Sequence, residues 1–375
     1  METIERFERL RSLHRLDPAN DRLARDCIDA ALQAGAYDFV LERSVQALAA
    51  TPADLQALFD NASALIGLRD YRGAIGSLRS LLERQPQVHA ARINLGLCHY
   101  ALGEFAEARG PLDAVYLAGD RSAGLLRLIV STYHHLGLID EALAVCEANP
   151  APSGADAALA GVYALVYMDA EMPQPAGEWA ARALAANPRS VDGLIVDGTL
   201  NILKFDLPRA REQFDLALEI APATARAFIG LGTLALLEND LARARTQLAR
   251  GVELMPTHVG SWHVLAWAHL MAKDLDAAEA AMLHALELDR NFAETHGGLA
   301  SIAALRGNRA EAQRLIEVAL RLDAKCLSAQ FARSVLLGLS GRAADAKRLV
   351  LSTASGLAAE DGSVLSRVIE RVTRH

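Results

Sequence analysis

The sequence predicts an all-α solenoid built from about ten helix–turn–helix repeats of 34 residues. Three observations predict this fold. Aromatic residues make up only 5% of the chain, whereas alanine, leucine, arginine and glutamate, which suit helices better than pleated sheets, are abundant. The same residue types return every 34 residues without an insertion, and prolines return at one phase of that period.

The repeat is clearest at one alanine position. When Asp21 is taken as position 1, blocks begin at residues 21, 55, 89, 123, 157, 191, 225, 259, 293 and 327. Position 20 is occupied by Val40, Ala74, Ala108, Ala142, Ala176, Ala210, Ala244, Ala278, Ala312 and Ala346. Alanine in nine of ten blocks predicts a place where two helix backbones come close together.

Other positions predict the helix boundaries. Prolines at position 32 separate one helix pair from the next, and glycines at position 15 predict a left-handed residue that ends the first helix. The prolines are Pro52, Pro86, Pro188, Pro222 and Pro256, and the glycines are Gly35, Gly103, Gly137, Gly307 and Gly341. Each block is therefore predicted to be a helix, a tight turn and a second helix.

The seventh block carries the pattern most fully. Phe228, Leu231 and Gly232 fall on its first predicted helix, Ala244 falls on its second, and Pro256 ends the block. This order resembles the tetratricopeptide-repeat family, whose pattern is W-x2-L-G-x2-Y, then A-x3-F, then P. The resemblance extends over all ten blocks, and it implies a right-handed superhelix whose concave face binds other proteins.

The phase of the repeat predicts four segments. Residues 1–20 form an N-terminal capping helix that is half a repeat, and residues 21–154 hold blocks one to four. Residues 155–360 hold blocks five to ten, and residues 361–375 form a C-terminal capping helix. The family resemblance requires such ends, because a helix pair cannot bury its apolar face without a neighbour.

The boundary at residue 154 lies in a proline-rich stretch. Asn149-Pro150-Ala151-Pro152-Ser153-Gly154 falls where the second helix of block four should finish, so that helix is predicted to end about one turn early. Two interpretations stay open. Either a softer joint changes the curvature of the superhelix here, or the helix is shorter and the stacking continues unchanged.

The resemblance also implies a groove lined by first-helix positions 2, 5, 9, 12 and 13. These positions are polar in blocks one to four and apolar in blocks five to eight. The predicted partner-binding residues are Met168, Ile195, Thr199, Ile202, Ile229, Thr233, Leu236, His263, Trp267, Leu270, Met271, Gly297 and Ser301. Arg22, Arg25, Arg127 and His134 form a secondary, polar groove. So much apolar surface favours a partner site, unless tight curvature or self-association covers it.

One stripe in this groove stands out. His263, Trp267 and Met271 are spaced four residues apart, so they share one helix face. Gly297 and Ser301 lie at groove positions of the next block. Small residues beside a large aromatic ring leave a pocket for an anchor side chain, or else the Trp267 ring fills that space itself.

Few residues are candidates for catalysis or for binding a metal. No phosphate-binding loop, zinc-binding helix or catalytic Cys–His motif is present, and Cys27, Cys98, Cys146 and Cys326 lack metal-type spacing. His134 and His135 are adjacent, so their rings point to different helix faces. Asn61, Asp197 and Arg333 interrupt position 7, a core position, and each needs a polar partner or access to solvent. We therefore expect no catalytic site, metal or cofactor.

Charge and hydropathy narrow the class of partner. The net charge of -8 comes without a basic stripe, which argues against binding to nucleic acid. No run of about 18 apolar residues predicts insertion into a membrane. The charged N-terminus and the absence of a signal-like core predict a cytoplasmic protein, and the preference for arginine over lysine is typical of a GC-rich bacterial genome.

Together these features predict a protein-interaction scaffold or adaptor, or a chaperone-like protein. Its partner would be an amphipathic helix or an extended apolar segment in the apolar groove. A structural subunit that self-associates is the main alternative. A small-molecule sensor or enzyme acting near His263 and Trp267 is a third.

Overall fold

A computed structural model describes residues 2–150 and 156–360, with side chains as far as residue 352. These residues form twenty-one α-helices and no strand. The helices are α1 (Glu2–Leu16), α2 (Asp21–Ala34), α3 (Tyr37–Ala50), α4 (Leu55–Gly67), α5 (Tyr71–Arg84), α6 (His89–Ala101), α7 (Phe105–Leu117), α8 (Ala123–His135), α9 (Ile139–Ala148), α10 (Ala157–Asp169), α11 (Pro173–Ala186), α12 (Val191–Leu203), α13 (Leu207–Ile220), α14 (Ala225–Leu237), α15 (Leu241–Leu254), α16 (Val259–Met271), α17 (Leu275–Leu288), α18 (Ala293–Leu305), α19 (Arg309–Leu322), α20 (Leu327–Leu339) and α21 (Ala343–Glu360).

Each of the ten predicted blocks holds two helices, from α2 and α3 to α20 and α21. Every first helix begins at position 1 of its block, from Asp21 in α2 to Leu327 in α20. The all-α repeat prediction is therefore confirmed. Before the first pair, α1 packs against α3 by an edge-to-face contact of Phe7 with Phe39, whose ring centroids are 5.2 Å apart.

Small residues bring the two helices of a block together. From Val40 to Ala312, every side chain at position 20 is 0% exposed. Glycine at position 8 receives the side chain at position 24 of the same block. An added Cβ at Gly198 would lie 2.8 Å from the buried Phe214 ring, and one at Gly232 would lie 2.5 Å from Leu248 Cγ. A larger residue at either glycine would separate the helices.

The turn inside each block has a constant backbone shape. Position 15 is left-handed in all ten blocks, including five where it is not glycine. Those five residues are Arg69, Glu171, Phe205, Asn239 and Lys273. At position 16, the side chains of Asp70, Asp206, Asp240, Asp274 and Asn308 accept a hydrogen bond from the first turn of the second helix. In these five blocks the turn is thus closed from both sides, by a left-handed residue and by an N-cap.

The helix predicted to be short is short. α9 has ten residues and ends at Ala148, whereas α11 has fourteen. Asn149 then ties this end to its neighbours, because its side-chain amide donates to Tyr116 Oη at 2.9 Å and its carbonyl accepts from Tyr163 Oη at 2.9 Å. These bonds secure the end of α9 against α7 and α10.

The chain divides into two compact units, one ending at Met172 and the other beginning at Pro173. In the first unit, α10 is buried on all sides, from Leu159 to Tyr167. The predicted boundary at residue 154 falls within residues 151–155, outside the described part of the chain. The predicted C-terminal helix, residues 361–375, also lies outside it.

Candidate partner-binding surface

The predicted apolar groove residues of the second unit lie mainly on α12, α14 and α16, which are successive first helices. Four of them point into the interior. Ile195, Ile202 and Leu270 are 4%, 6% and 8% exposed, and His263 is 7% exposed. The structure therefore places these four side chains in the core of the unit, where a partner does not reach them.

Six other predicted residues on these helices are half-buried and carry no charge. They are Thr199, Ile229, Thr233, Leu236, Trp267 and Met271. Leu203, the last residue of α12, is 41% exposed. Thr199 and Thr233 donate their hydroxyls to backbone carbonyls of their own helices at 2.8 and 2.9 Å, so neither adds a free donor. We call the six half-buried residues, Thr199, Ile229, Thr233, Leu236, Trp267 and Met271, the apolar surface.

The Ile229 side chain also packs within its own block. Its Cδ1 atom packs against α15, because a Cβ built on Gly251 would lie only 2.3 Å from it. The side chain therefore also fills the seam between the two helices of block seven. Met168, the predicted groove residue on α10, is half-buried in the first unit.

His263 is a core residue with one polar partner. Its Nε2 lies 3.1 Å from Thr295 Oγ1, and its ring meets Phe292 edge to face at 5.3 Å. Burial lowers the pKa of His263 to about 4, and the negative charge of Glu294 only partly opposes that shift. The imidazole is therefore neutral at pH 7, when it can neither attract an anion nor donate from both nitrogens.

The space beside Gly297 is occupied by the start of α20. An added Cβ at Gly297 would lie 2.5 Å from the Ala329 backbone nitrogen. Ser301 Oγ donates to the Ser328 carbonyl at 3.1 Å. The Trp267 ring meets Phe331 of α20 edge to face, with centroids 5.3 Å apart. The small residues of α18 therefore receive a helix of the same chain instead of leaving a pocket next to Trp267.

The predicted polar groove in the first unit contains a network of ion pairs. Arg25 bonds to Asp29 on its own helix and donates to Asp60 Oδ2 on α4 at 2.7 Å. Asp60 is buried and also accepts from Gln56 at 3.0 Å. Because Arg25 is already engaged, Arg22 is the exposed cation of this pair.

The other two residues of the polar groove lie on α8. Arg127 and His134 are both half-buried. His134 Nε2 lies 2.6 Å from Asp169 Oδ2 at the end of α10. Its neighbour His135 is exposed and stacks on Phe105 with centroids 4.3 Å apart. The two adjacent histidines therefore have separate partners, as their helix positions predict.

The three polar residues at core position 7 either contact a polar partner or are exposed to solvent. Asn61 accepts from Ser77 at 2.7 Å and donates to Ser44 at 3.1 Å. Asp197 accepts from Asn201 at 3.2 Å and lies 3.6 Å from Arg209. Arg333 is exposed. The contacts of Asn61 and Asp197 and the exposure of Arg333 explain these three residues without a catalytic role.

The cysteines and the acidic residues do not converge. All four cysteines are buried, and burial raises the pKa of each thiol, to about 11 for Cys98. Within the described residues, no group of three or more His, Cys, Asp or Glu side chains is placed to hold a metal ion. Every helix in the described part of the chain is too short or too polar to span a bilayer.

Three structural features of this region were missed at the sequence level. Glu294, at position 2 of block nine, bonds to the N-terminus of α20, and Phe331, at position 5 of block ten, contacts Trp267. A shallow cleft of about 410 Å³ between α17 and α18 was missed as well. It is lined by Leu283, Leu286, Glu287, Arg290 and His296, and none of these is a predicted groove residue.

The likeness to solved structures supports the fold. The structure of the APC/C hetero-tetramer Cut9–Hcn1 is similar, with a TM-score of 0.57 and 15% identity, over 89% of this chain and 66% of that chain. This chain thus spans just under two thirds of the length of that chain. At this identity the likeness shows a shared fold.

Shorter solved chains are similar with lower scores. YrrB, described as a TPR protein with an unusual peptide-binding site, has 19% identity and a TM-score of 0.36, over 51% of this chain and 96% of that chain. A tetratricopeptide repeat protein from Parabacteroides merdae has 16% identity and a TM-score of 0.36, over 75% of this chain and 97% of that chain. No curated protein sequence matches the chain significantly.

Sequence models of the repeat match this chain directly. One model described as tetratricopeptide repeat matches residues 59–124, and another matches residues 259–292. The second match covers block eight, from the first residue of α16 to the loop after α17. The helix pairs between and beyond these matches keep the same phase. This chain therefore contains tetratricopeptide repeats, matched directly in these two segments.

Proposed function

We propose that this protein is a scaffold or adaptor, of a chaperone-like kind, that binds a segment of a partner protein on the apolar surface. The observation that carries the proposal is the grouping of half-buried, uncharged side chains at equivalent positions of α12, α14 and α16. Contiguous apolar surface of this kind usually marks an interaction site. The proposal assigns the protein no catalytic step.

The partner we propose is an amphipathic helix with an apolar or aromatic anchor. The threonine hydroxyls of the surface are already bonded, so recognition there depends on shape and apolar burial more than on hydrogen bonds. Trp267 offers an aromatic ring of the kind that dominates binding energy. The packing of helix α20 against α18, with Phe331 on Trp267, supports a helix as the occupant.

The test compares two charged variants with wild type. Leu236→Asp and Trp267→Asp place a carboxylate on the apolar surface, where it would be desolvated by a bound partner. We expect recovery of the specific partner from native lysate, quantified by mass spectrometry, to fall at least about tenfold in each variant.

The control introduces the same substitution, leucine to aspartate, at a position outside the apolar surface. Leu322, at the end of α19, is 44% exposed and lies outside the apolar surface, so Leu322→Asp should leave recovery at the wild-type level. Circular dichroism on all three variants confirms that they are folded. Equal recovery of every partner by wild type and by both charged variants would remove this surface from consideration.

A further inference from the structure

We propose that α20 is a lid over Trp267 and that the Glu294 carboxylate is the latch that holds it shut. The proposal rests on the proposed function only for what binds at the uncovered surface. The lid itself follows from contacts between α16, α18 and α20, all in the second unit. Neighbouring first helices approach each other to different degrees, and at α18 and α20 the approach is unusually close.

The latch is a set of hydrogen bonds to the start of α20. Glu294, in the first turn of α18, accepts from the Leu327 backbone nitrogen at 2.7 Å and from the Ser328 backbone nitrogen at 3.0 Å. It also accepts from the Ser328 hydroxyl. A carboxylate that bonds to free N–H groups at a helix N-terminus is favoured by charge and by the helix dipole. The contact joins residues more than 30 positions apart, so it fixes one helix on another.

Small residues let the lid close. Gly297 and Ser301 occupy positions 5 and 9 of block nine, where block eight has His263 and Trp267. A Cβ at Gly297 would lie 2.7 Å from Ser328 Cβ and 2.5 Å from the Ala329 nitrogen, so any larger residue would push α20 away. The close approach brings Phe331 over the ring of Trp267.

The lid is held by little apolar burial. The fully buried residues of α20, namely Ser328, Ala329, Ala332 and Ser334, are all small, and its larger apolar residues Phe331 and Leu336 pack against the core while only half-buried. By comparison, α14 buries Leu231, Leu234 and Leu237. Stabilisation by burial grows with the apolar area removed from water, so α20 is attached more weakly than α14. Weakly attached elements open first, which makes the Glu294 hydrogen bonds a large part of what keeps this helix in place.

The first measurement tests the latch on the full-length chain. Glu294→Gln keeps the size of the side chain and removes its charge and one acceptor. We expect hydrogen exchange of the α20 amides to become about tenfold faster, while exchange in α14 stays at the wild-type rate. The control is Glu287→Gln, because Glu287 is exposed on α17 and has only a 4.0 Å contact with His284.

The second measurement tests whether α20 covers the Trp267 ring. In a background with Trp179→Phe and Trp262→Phe, the fluorescence comes from Trp267, and its quenching by acrylamide reports access to the ring. We expect Glu294→Gln to raise the quenching constant about twofold or more. Phe331→Ala should raise it as well while leaving the latch intact, so exchange of the first α20 turn should stay near wild type.

The outcomes separate the lid from the proposed function. Faster exchange confined to α20 together with greater access to Trp267 supports the lid. Unchanged α20 exchange in Glu294→Gln, an equal rise in α14 and α20, or unchanged Trp267 quenching in either variant overturns it. Neither readout involves a partner, so failure of the lid leaves the proposed function standing. If instead the lid opens but the Trp267→Asp variant still recovers every partner, the lid stands and the proposed function is wrong.

Discussion

Burial converts some predicted surface residues into core residues, and His263 is the clearest case. Position 5 of a first helix was expected to face the groove, yet the ring lies between Thr295 and Phe292 of the next block. Its neighbour on the same stripe, Trp267, stays half-buried. The difference between the two is decided by how closely the following helix approaches each of them.

The buried imidazole predicts a dependence of stability on pH. Its pKa is about 4 in the folded chain and 6.5 in the unfolded chain, so the fold favours the neutral form. The stabilisation is complete above pH 6.5 and is lost as the pH falls toward 4. The loss is about 3 kcal/mol, since one pKa unit corresponds to about 1.4 kcal/mol. The measurement is the free energy of unfolding in urea at pH 7 and pH 4.

A substitution isolates this contribution from that of the carboxylates. His263→Gln cannot titrate, so the change in stability between pH 7 and pH 4 should shrink by roughly the same 3 kcal/mol. His284→Gln is the control variant, because the His284 side chain is 40% exposed and is not enclosed in the core as that of His263 is. Identical pH dependence in His263→Gln and wild type would show that His263 is not held in its neutral form by the fold.

At the scale of the element, the turn between paired helices is the most regular feature. Glycines at position 15 were predicted to end five first helices, and the other five blocks adopt the same left-handed turn with larger residues. The N-cap at position 16 accounts for the left-handed turn at these larger residues. In four of those five blocks, an aspartate there closes the start of the second helix: Asp70, Asp206, Asp240 and Asp274. In these blocks the cap helps to offset the strain of the left-handed residue.

The cap predicts a measurable loss of stability. Asp240 follows the left-handed Asn239 and accepts from the Arg243 backbone nitrogen at 3.0 Å. Asp240→Ala should lower the free energy of unfolding by about 1 kcal/mol in urea titrations. Asp215→Ala is the matched control, because Asp215 is exposed in the middle of α13 and caps nothing. If the two variants lost the same amount, the cap would have no stabilising role.

At the scale of the molecule, repeated contacts between neighbouring helices replace a single core. Within each unit most helices touch the other helix of their own block and the helices of adjacent blocks. Stability in such arrays is a sum of local terms, so damage in one block should weaken its neighbours and fade with distance. The chain offers a simple place to test this, because position 20 is buried in block after block.

Ala244 in α15 is 0% exposed, so Ala244→Leu must push α14 and α15 apart, at a cost of about 1–3 kcal/mol. We expect hydrogen exchange to speed up in α14 to α17 and to stay unchanged in α4 to α6 of the first unit. Ala242→Leu is the control, because Ala242 is exposed on the same helix. A uniform increase across both units would instead show that the whole chain unfolds as one cooperative body.

Local signals made the helices predictable from the sequence. Alanine at position 20, glycine at position 15 and proline at position 32 act on the backbone of their own block, so their effect does not depend on distant contacts. The early end of α9 at Ala148 follows from the same kind of signal, because Pro150 cannot continue a helix. The caps at position 16 were equally readable and were overlooked.

The all-α repeat, its phase and its helix boundaries could therefore be read from the sequence, because these depend on residues close together in the chain. Which groove positions stay accessible depends instead on contacts between helices that are far apart in the chain. Ile195, Ile202, His263 and Leu270 are covered, and Trp267 meets Phe331, as a result of how closely neighbouring first helices approach. That distance depends on pairs such as Gly297 with Ala329 and Glu294 with Ser328, which the 34-residue pattern does not encode.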